Sequence, residues 1–348
     1  MSAMSSLLGR EIHEQPQAMQ RLLDRETEHV GRLAAALRGR FDYAVIAARG
    51  SSDNAARYAQ YLWGAHNRLP IALATPSLFT LYGRPPRLDG ALVVGISQSG
   101  QSPDIVAVVA EGRRQGRPAL AITNEPDSPL AAAAGHTLLL HTGPEQAVAA
   151  TKTYTASLAA LALFSCQLAG DAERLAQLQR MPAFLDEVLA AVRGVLPRVE
   201  RYRTMEHCVV IGRGYNYATA FEIALKIKEL TRLVAEPYSS ADFRHGPIAM
   251  VCPGFPVLAV APSGAVAGDI HDLVDTLRGL DAELLLISDD PALLAHAQLP
   301  MPLPAGLPEW LTPLAAVLPG QLFSLALAEA RGLDPDRPAG LTKVTETL

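Results

Sequence analysis

At 348 residues the chain is long enough for about two domains, and 49% hydrophobic residues are ample for packed cores, which excludes a disordered polymer. Asp plus Glu outnumber Lys plus Arg by 35 to 30, a net charge of -5, and aromatic residues make up only 5%. With neither a basic face nor a stacking platform, nucleic acid and anionic membrane are not expected partners. In chain order, residues 1 to about 38 read as helices, with Leu22, Leu23, Val30, Leu33, Ala36 and Leu37 at helical spacing. Tyr43 to Ala48 has strand length, and Asp53 to Trp63 follows as a helix (Ala56, Tyr58, Ala59, Tyr61, Leu62). Leu92 to Ile96 is a second strand, Pro103 to Gly112 its helix, and Pro118 to Ile122 a third strand. These runs are apolar throughout rather than alternating, as in strands covered on both faces. Buried helix segments are the alternative, which the run lengths and flanking Gly and Pro disfavour. Residues 146 to 196 predict two long helices joined near Gly170-Asp171, with Pro182 opening or kinking the second. After Gly332 the tail is short and polar, contains Pro335 and Pro338, and needs something to hold it if ordered.

The chain repeats itself once. Val45-Ile46-Ala47-Ala48-Arg49-Gly50 resembles Val209-Val210-Ile211-Gly212-Arg213-Gly214 at an offset of 164. Val94 to Gly100 resembles Leu258 to Gly264 at the same offset, and Leu120-Ala121-Ile122-Thr123 resembles Leu285-Leu286-Ile287-Ser288 at 165. So long a period implies a duplicated domain rather than a solenoid. Strand–turn–helix repetition implies an α/β fold, two tandem doubly wound parallel sheets of flavodoxin-like three-layer form. The expected division is an N-terminal helical segment 1–38, a first domain 39–170, a linking helix 171–196, a second domain 197–331 and a tail 332–348.

No apolar run of transmembrane length is evident, each candidate being broken by Gly, Pro or charge, and the N-terminus lacks the basic start and apolar core of a signal peptide. A cytoplasmic location is expected. Cys166, Cys208 and Cys252 are odd in number and widely spaced, with no C-x-x-C pair. Buried free thiols are expected, and no zinc site or disulfide framework.

The sharpest local signal is Ile96-Ser97-Gln98-Ser99-Gly100-Gln101-Ser102-Pro103-Asp104, between a strand and a helix start. Hydroxyls at Ser97, Ser99 and Ser102 and backbone N–H groups opened by Gly100 would converge at a helix N-terminus, a ready anion site at the carboxyl end of a strand. Ser102 as an ordinary N-cap with Pro103 at N1 is the compatible alternative. The turn Arg49-Gly50-Ser51-Ser52-Asp53-Asn54 offers sugar contacts or merely caps the next helix. In the second copy the matching loop is Val260-Ala261-Pro262-Ser263-Gly264. This loop and the residues just after it have lost two hydroxyl positions, and a proline without an N–H has been gained, so one phosphate site per chain is expected. Lys226, Glu229 and Arg232 form either a solvated helix face with i,i+3 pairing or, with the loop residue His245, a proton-transfer group.

These strings, with Val148-Ala149-Ala150-Thr151-Lys152, the LKIKEL and FRHGP runs and the tail from Asp334-Pro335-Asp336-Arg337-Pro338 to Leu341-Thr342-Lys343, resemble the sugar isomerase (SIS) domain proteins. The likeness is greatest to the isomerase half of glucosamine-6-phosphate synthase. The RGSSDNAARYAQYL run looks more like the stand-alone second type of glucosamine-6-phosphate deaminase. The resemblance implies that Ser97, Gln98, Ser99 and Ser102 bind phosphate, that Ser52 contacts the sugar, and that Val148 lines its pocket. Ala150 falls where the synthase has a serine. Glu229 would move a proton between C1 and C2, His245 would open the ring from the neighbouring subunit of a homodimer, and Lys343 would close over the substrate. Lys226 would lie near the reacting carbons, and Glu145 in the substrate-side loop without an assigned role. No cofactor or metal is implied. No glutaminase domain with its nucleophilic cysteine is visible, so the expected reaction is glucosamine-6-phosphate plus water to fructose-6-phosphate and ammonia. A glutaminase-less synthase-type isomerase, a fructose–amino-acid-phosphate deglycase, a galactosamine-6-phosphate deaminase/isomerase and a non-enzymatic sugar-phosphate sensor are the alternatives.

Overall fold

The computed structural model describes residues 6–343. They divide into two compact units, one of residues 17–145, 152–180 and 342–343, the other of residues 6–16, 146–151 and 181–341. The first holds β1 (Tyr43–Ala47), β2 (Ile71–Leu73), β3 (Ala91–Ile96), β4 (Ala119–Thr123) and β5 (His136–Leu139), paired in the order β2-β1-β3-β4-β5. The second holds β6 (His207–Gly212), β7 (Val234–Ser239), β8 (Pro256–Val260), β9 (Glu283–Ser288) and β10 (Leu299–Pro302), in the order β10-β9-β8-β6-β7. Every pairing is parallel, and in order of appearance the two sheets have one topology.

The duplication extends to register. Val45 stands opposite Val93 in the first sheet and Val209 opposite Val257 in the second, both shifted by the 164 residues read from the sequence. β3, β4 and the later part of β6 are buried along their length because helices cover both faces, which explains runs without alternation. Val93, Ile105, Val109 and Leu130 are part of the core of the first unit, and Val257, Leu273, Leu277 and Leu286 part of that of the second.

Each unit contains an apolar helix. Lys152–Ala169 is buried from Lys152 to Cys166 and packs on Ser51–Asn67, where the Trp63 indole donates to the Leu161 carbonyl (3.1 Å) and its ring meets Phe164 at 5.2 Å. Thr312–Ala330 is apolar around its whole circumference, a pattern that suits a helix enclosed by protein. Contrary to the sequence reading, it lies in a stretch (309–330) long and apolar enough to cross a membrane, yet 94% of the 18-residue apolar part of that stretch is buried inside the structure.

Three further details differ from expectation. Residues 146–151 are not helical, and the expected second long helix is two, Ala172–Gln179 and Met181–Val192. Pro182 sits in the first turn of the latter, where its missing N–H costs nothing. Cys166 and Cys208 are buried, which pushes both thiols up to about 12, but Cys252, in the loop before β8, is exposed. The tail is held at Asp336, whose carboxylate accepts from the backbone N–H groups of Leu7 and Leu8, both at 2.8 Å, at the N-terminus of helix Leu7–His13. There it adds to the Ser6 cap and matches the positive end of the helix dipole.

Candidate functional site

In the first unit the order of strands reverses between β1 and β3, and ligands in open α/β sheets bind at the carboxyl ends of strands beside such a reversal. The two turns singled out in the sequence leave those two strands. The Ser97 hydroxyl accepts the Gly100 N–H at 3.1 Å, and the Ser99 hydroxyl accepts the Gln101 N–H at 3.3 Å. A hydroxyl that accepts from the loop still has its own proton to donate to an anion. Ser102 occupies the N-cap of helix Pro103–Arg114, but its side chain makes no capping bond. Gln98 is anchored through its carbonyl, which accepts from the Asn124 N–H (3.1 Å) and the Thr123 hydroxyl (3.2 Å). Gly100 has φ +62°, and a Cβ there would stand 2.2 Å from the Ser128 hydroxyl oxygen. Only glycine allows this curl against the neighbouring turn.

An ion pair between a half-exposed arginine and a buried aspartate joins the two turns. Asp104, fully buried at the helix start, takes the Arg49 Nε at 2.8 Å and the Ile105 N–H at 2.9 Å. Ser52, in the first turn of helix Ser51–Asn67, is thereby carried on a segment tied to the serine loop. The second copy repeats the device at the same offsets, with Arg213 Nε 3.9 Å from Asp269. Burial alone would raise the Asp269 carboxyl, but hydrogen bonds from Ser240 and Arg244 and the charges of Arg244 and Arg213 hold it below its usual range.

The second copy's loop differs where the anion would sit. The Ser263 N–H, counterpart of Ser99 N–H, donates to the Asp289 carboxylate at 2.7 Å. The Glu309 side chain also lies against Gly264, its Cδ 2.2 Å from where a Cβ would stand. One N–H of this loop is thus taken by the chain's own Asp289, and Glu309 fills the space beside it. In the first copy Asn124 stands in Asp289's place and turns instead to Thr142 and Gly143.

Lys226 and Glu229 lie on helix Tyr217–Thr231, which follows β6. They are not a solvated face. The Lys226 side chain is 1% exposed, and its Nζ stands 2.5 Å from Glu229 and 3.4 Å from Glu222. Glu222 is wholly buried, whereas Glu229 keeps 23% of its side chain in solvent. A buried ammonium between two carboxylates needs both, because a lone buried charge is expensive. Sequence reading missed Glu222, although Glu222, Lys226 and Glu229 stand one turn apart at i, i+4 and i+7. Arg232 is the exposed C-cap outside this set. His245 is exposed at the end of helix Ser240–Arg244, which is clamped by Arg244 on Asp269 (2.6 Å).

Glu145 has a definite setting. Its carboxylate accepts from the Thr153 N–H (3.0 Å) and hydroxyl (2.8 Å) at the start of helix Lys152–Ala169, and from Lys343 Nζ at 2.8 Å. Val148 and Ala150 are half-buried in a segment anchored by Glu11, whose buried carboxylate accepts the Gln146 N–H at 2.5 Å. The sequence carries no sign of Glu11, because its partner is 135 residues away.

The SIS domain family matches residues 42–165 and 202–299. The isomerizing glutamine–fructose-6-phosphate aminotransferase of Gloeobacter violaceus is 34% identical over 351 residues, covering 96% of this chain. The chain spans 57% of the length of that relative. A protein of Silicibacter pomeroyi DSS-3, provisionally assigned as a phosphosugar isomerase, superposes with a TM-score of 0.86 at 35% identity, covering 95% of this chain and all of that one. The glucosamine-6-phosphate deaminase of Thermotoga maritima shares the fold, with a TM-score of 0.82 at 21% identity over 98% of this chain and all of its own. The duplicated sheet topology, the serine-lined turn at its reversal point and these matches over both copies agree: the chain belongs to the SIS domain family.

Proposed function

We propose that the protein is a phosphosugar isomerase that acts as a deaminase, converting glucosamine-6-phosphate and water to fructose-6-phosphate and ammonia. The observation that carries this reading is the Glu222–Lys226–Glu229 set. It holds one carboxylate beside a buried ammonium and leaves it partly open to solvent, as a group that must accept and return a proton requires. The serine loop supports it, since Ser97, Gln98, Ser99 and Ser102 offer hydroxyl and backbone donors for a phosphate at a helix start.

In this reading His245 assists ring opening, reaching the sugar of a second subunit in a homodimer; its exposure in a single chain fits that role. Glu229 then takes the C2 proton of the open aldehyde and returns it at C1, while O1 gains a proton and the amine nitrogen gives one up, so C1 becomes an alcohol and C2 an imine. Water adds at C2, ammonia leaves, and the ketose remains. Lys226 balances the charge of Glu229 before the proton is taken and after it is returned. Ser52, Val148 and Ala150 contact the sugar, and Lys343 faces its carbonyl end.

The test supplies glucosamine-6-phosphate to the purified protein without glutamine and measures ammonia and fructose-6-phosphate together. Equimolar appearance of both is expected. If only a galacto epimer or a fructose–amino-acid phosphate reacts, the substrate is misassigned and the proton chemistry stands. If several sugar phosphates bind and none reacts, the protein is a sensor.

A further inference from the structure

Only four of the chain's thirty Lys and Arg residues are lysines: Lys152, Lys226, Lys228 and Lys343. Lys152 and Lys226 are buried and Lys228 is exposed. Lys343 is 24% exposed, and its partner Glu145 is wholly buried. Elsewhere the chain takes its positive charge from arginine, whose guanidinium does not lose its proton in proteins. A lysine in the polar tail, aimed at a buried carboxylate, stands out against that usage.

The Glu145 carboxylate is itself held still. Thr153 gives it both a backbone N–H and a hydroxyl, at the N-terminal turn of helix Lys152–Ala169, where unpaired N–H groups and the helix dipole favour an anion. The point to which Lys343 Nζ is drawn is therefore fixed by a rigid buried helix and not by the tail.

We propose that Glu145 is the positioning residue for Lys343, a buried anchor that holds the tail ammonium at one place in the sugar-free protein. The use of Lys343 in catalysis rests on the function proposed above; the anchoring does not. The intact protein, without sugar, is treated with an amine-acylating reagent, and labelling is followed at each lysine by peptide mass spectrometry. Lys228 serves as the open reference and Lys226 as the closed one. A charge-assisted hydrogen bond should slow Lys343 about tenfold relative to Lys228. Glu145→Gln should bring Lys343 to within about twofold of Lys228, and Glu145→Asp should restore part of the protection. Lys226 remaining slow shows that the variant is folded. If Lys226 is exposed in Glu145→Gln, Thr153→Val replaces it as the test, because it removes one restraint on the carboxylate and keeps the charge. About threefold faster Lys343 labelling is then expected. Lys343 labelling like Lys228 in the wild type, or unchanged in the folded variant, overturns the anchor. In turnover, folded Glu145→Gln should lower kcat with less than about twofold change in KM. Protection of Lys343 in a protein that turns over no sugar phosphate would remove the proposed function and leave the anchor standing. Turnover with Lys343 freely labelled would do the reverse.

Discussion

Glu229 shows how one residue type takes two roles on one helix. Glu222 is enclosed beside Lys226, whereas Glu229 pairs with the same ammonium and still reaches solvent. Glu229→Gln keeps the shape and removes the proton acceptor. Turnover should fall about 10²–10⁴-fold while phosphate affinity by calorimetry holds. Near-normal turnover would make Glu229 a structural ion-pair partner only. At the serine loop, Ser102→Ala removes a hydroxyl that does no capping, so the fold should be untouched. Affinity for a sugar phosphate should drop by about 1.5–3 kcal/mol, a hydrogen bond to a charged group. Gly100→Ala should lose both binding and stability, since the new methyl meets Ser128 and the backbone is left-handed. A Ser102→Ala protein that binds as tightly as wild type would put the phosphate elsewhere.

The next scale is the helix that carries the proton-transfer group. Tyr217–Thr231 packs on Thr312–Ala330 so closely that a Cβ on Gly320 would stand 2.3 Å from Ile223 Cγ1. Asn216, just before the first helix, donates to the Thr312 hydroxyl at 2.7 Å and ties the two starts together. Gly320→Ala would ordinarily gain about 1 kcal/mol of helix propensity. Here the overpacking cost of about 1–3 kcal/mol should win and lower the melting temperature. Ile223→Val in the same chain should recover part of the loss. A Gly320→Ala protein more stable than wild type would mean that the pair separates easily, and Glu229 would then have a looser support than the geometry gives it.

For the whole molecule, acid sensitivity follows from histidines that the fold keeps neutral. Burial pushes His66 down from 6.5 to about 4, and the charge of Arg174 adds to the effect. His136 is lowered too, by burial first and then by Arg40, His29 and Arg113. A base with a depressed folded pKa contributes stability that is fully present above its unfolded value of 6.5 and lost as pH falls toward its folded value. The melting temperature should therefore decline between pH 6.5 and 4, and His66→Gln should make that decline shallower. An unchanged slope in the variant would assign the acid sensitivity to other groups.

By itself the sequence determined the first copy's main strand–helix units and their duplication. Apolar runs of strand length, turn residues after each, and three matches near one offset are local facts. They were enough for two α/β sheets of parallel strands, because strands covered on both faces must be apolar throughout. The serine loop was equally legible, since its hydroxyls, its glycine and its helix start are contiguous. Burial and long-range pairing were decided only by tertiary structure. Lys226 with its carboxylates has the same spacing on an exposed helix as on an enclosed one, so only packing removed the surface alternative. Thr312–Ala330 reads as apolar on every side whether lipid or protein surrounds it, and here protein does. Glu11, Asp104, Glu145 and Asp289 acquire their meaning from partners 135, 55, 198 and 26 residues away. A carboxylate carries no local mark of which N–H or ammonium it will meet, because that meeting is set by how sheets and helices bring distant turns together.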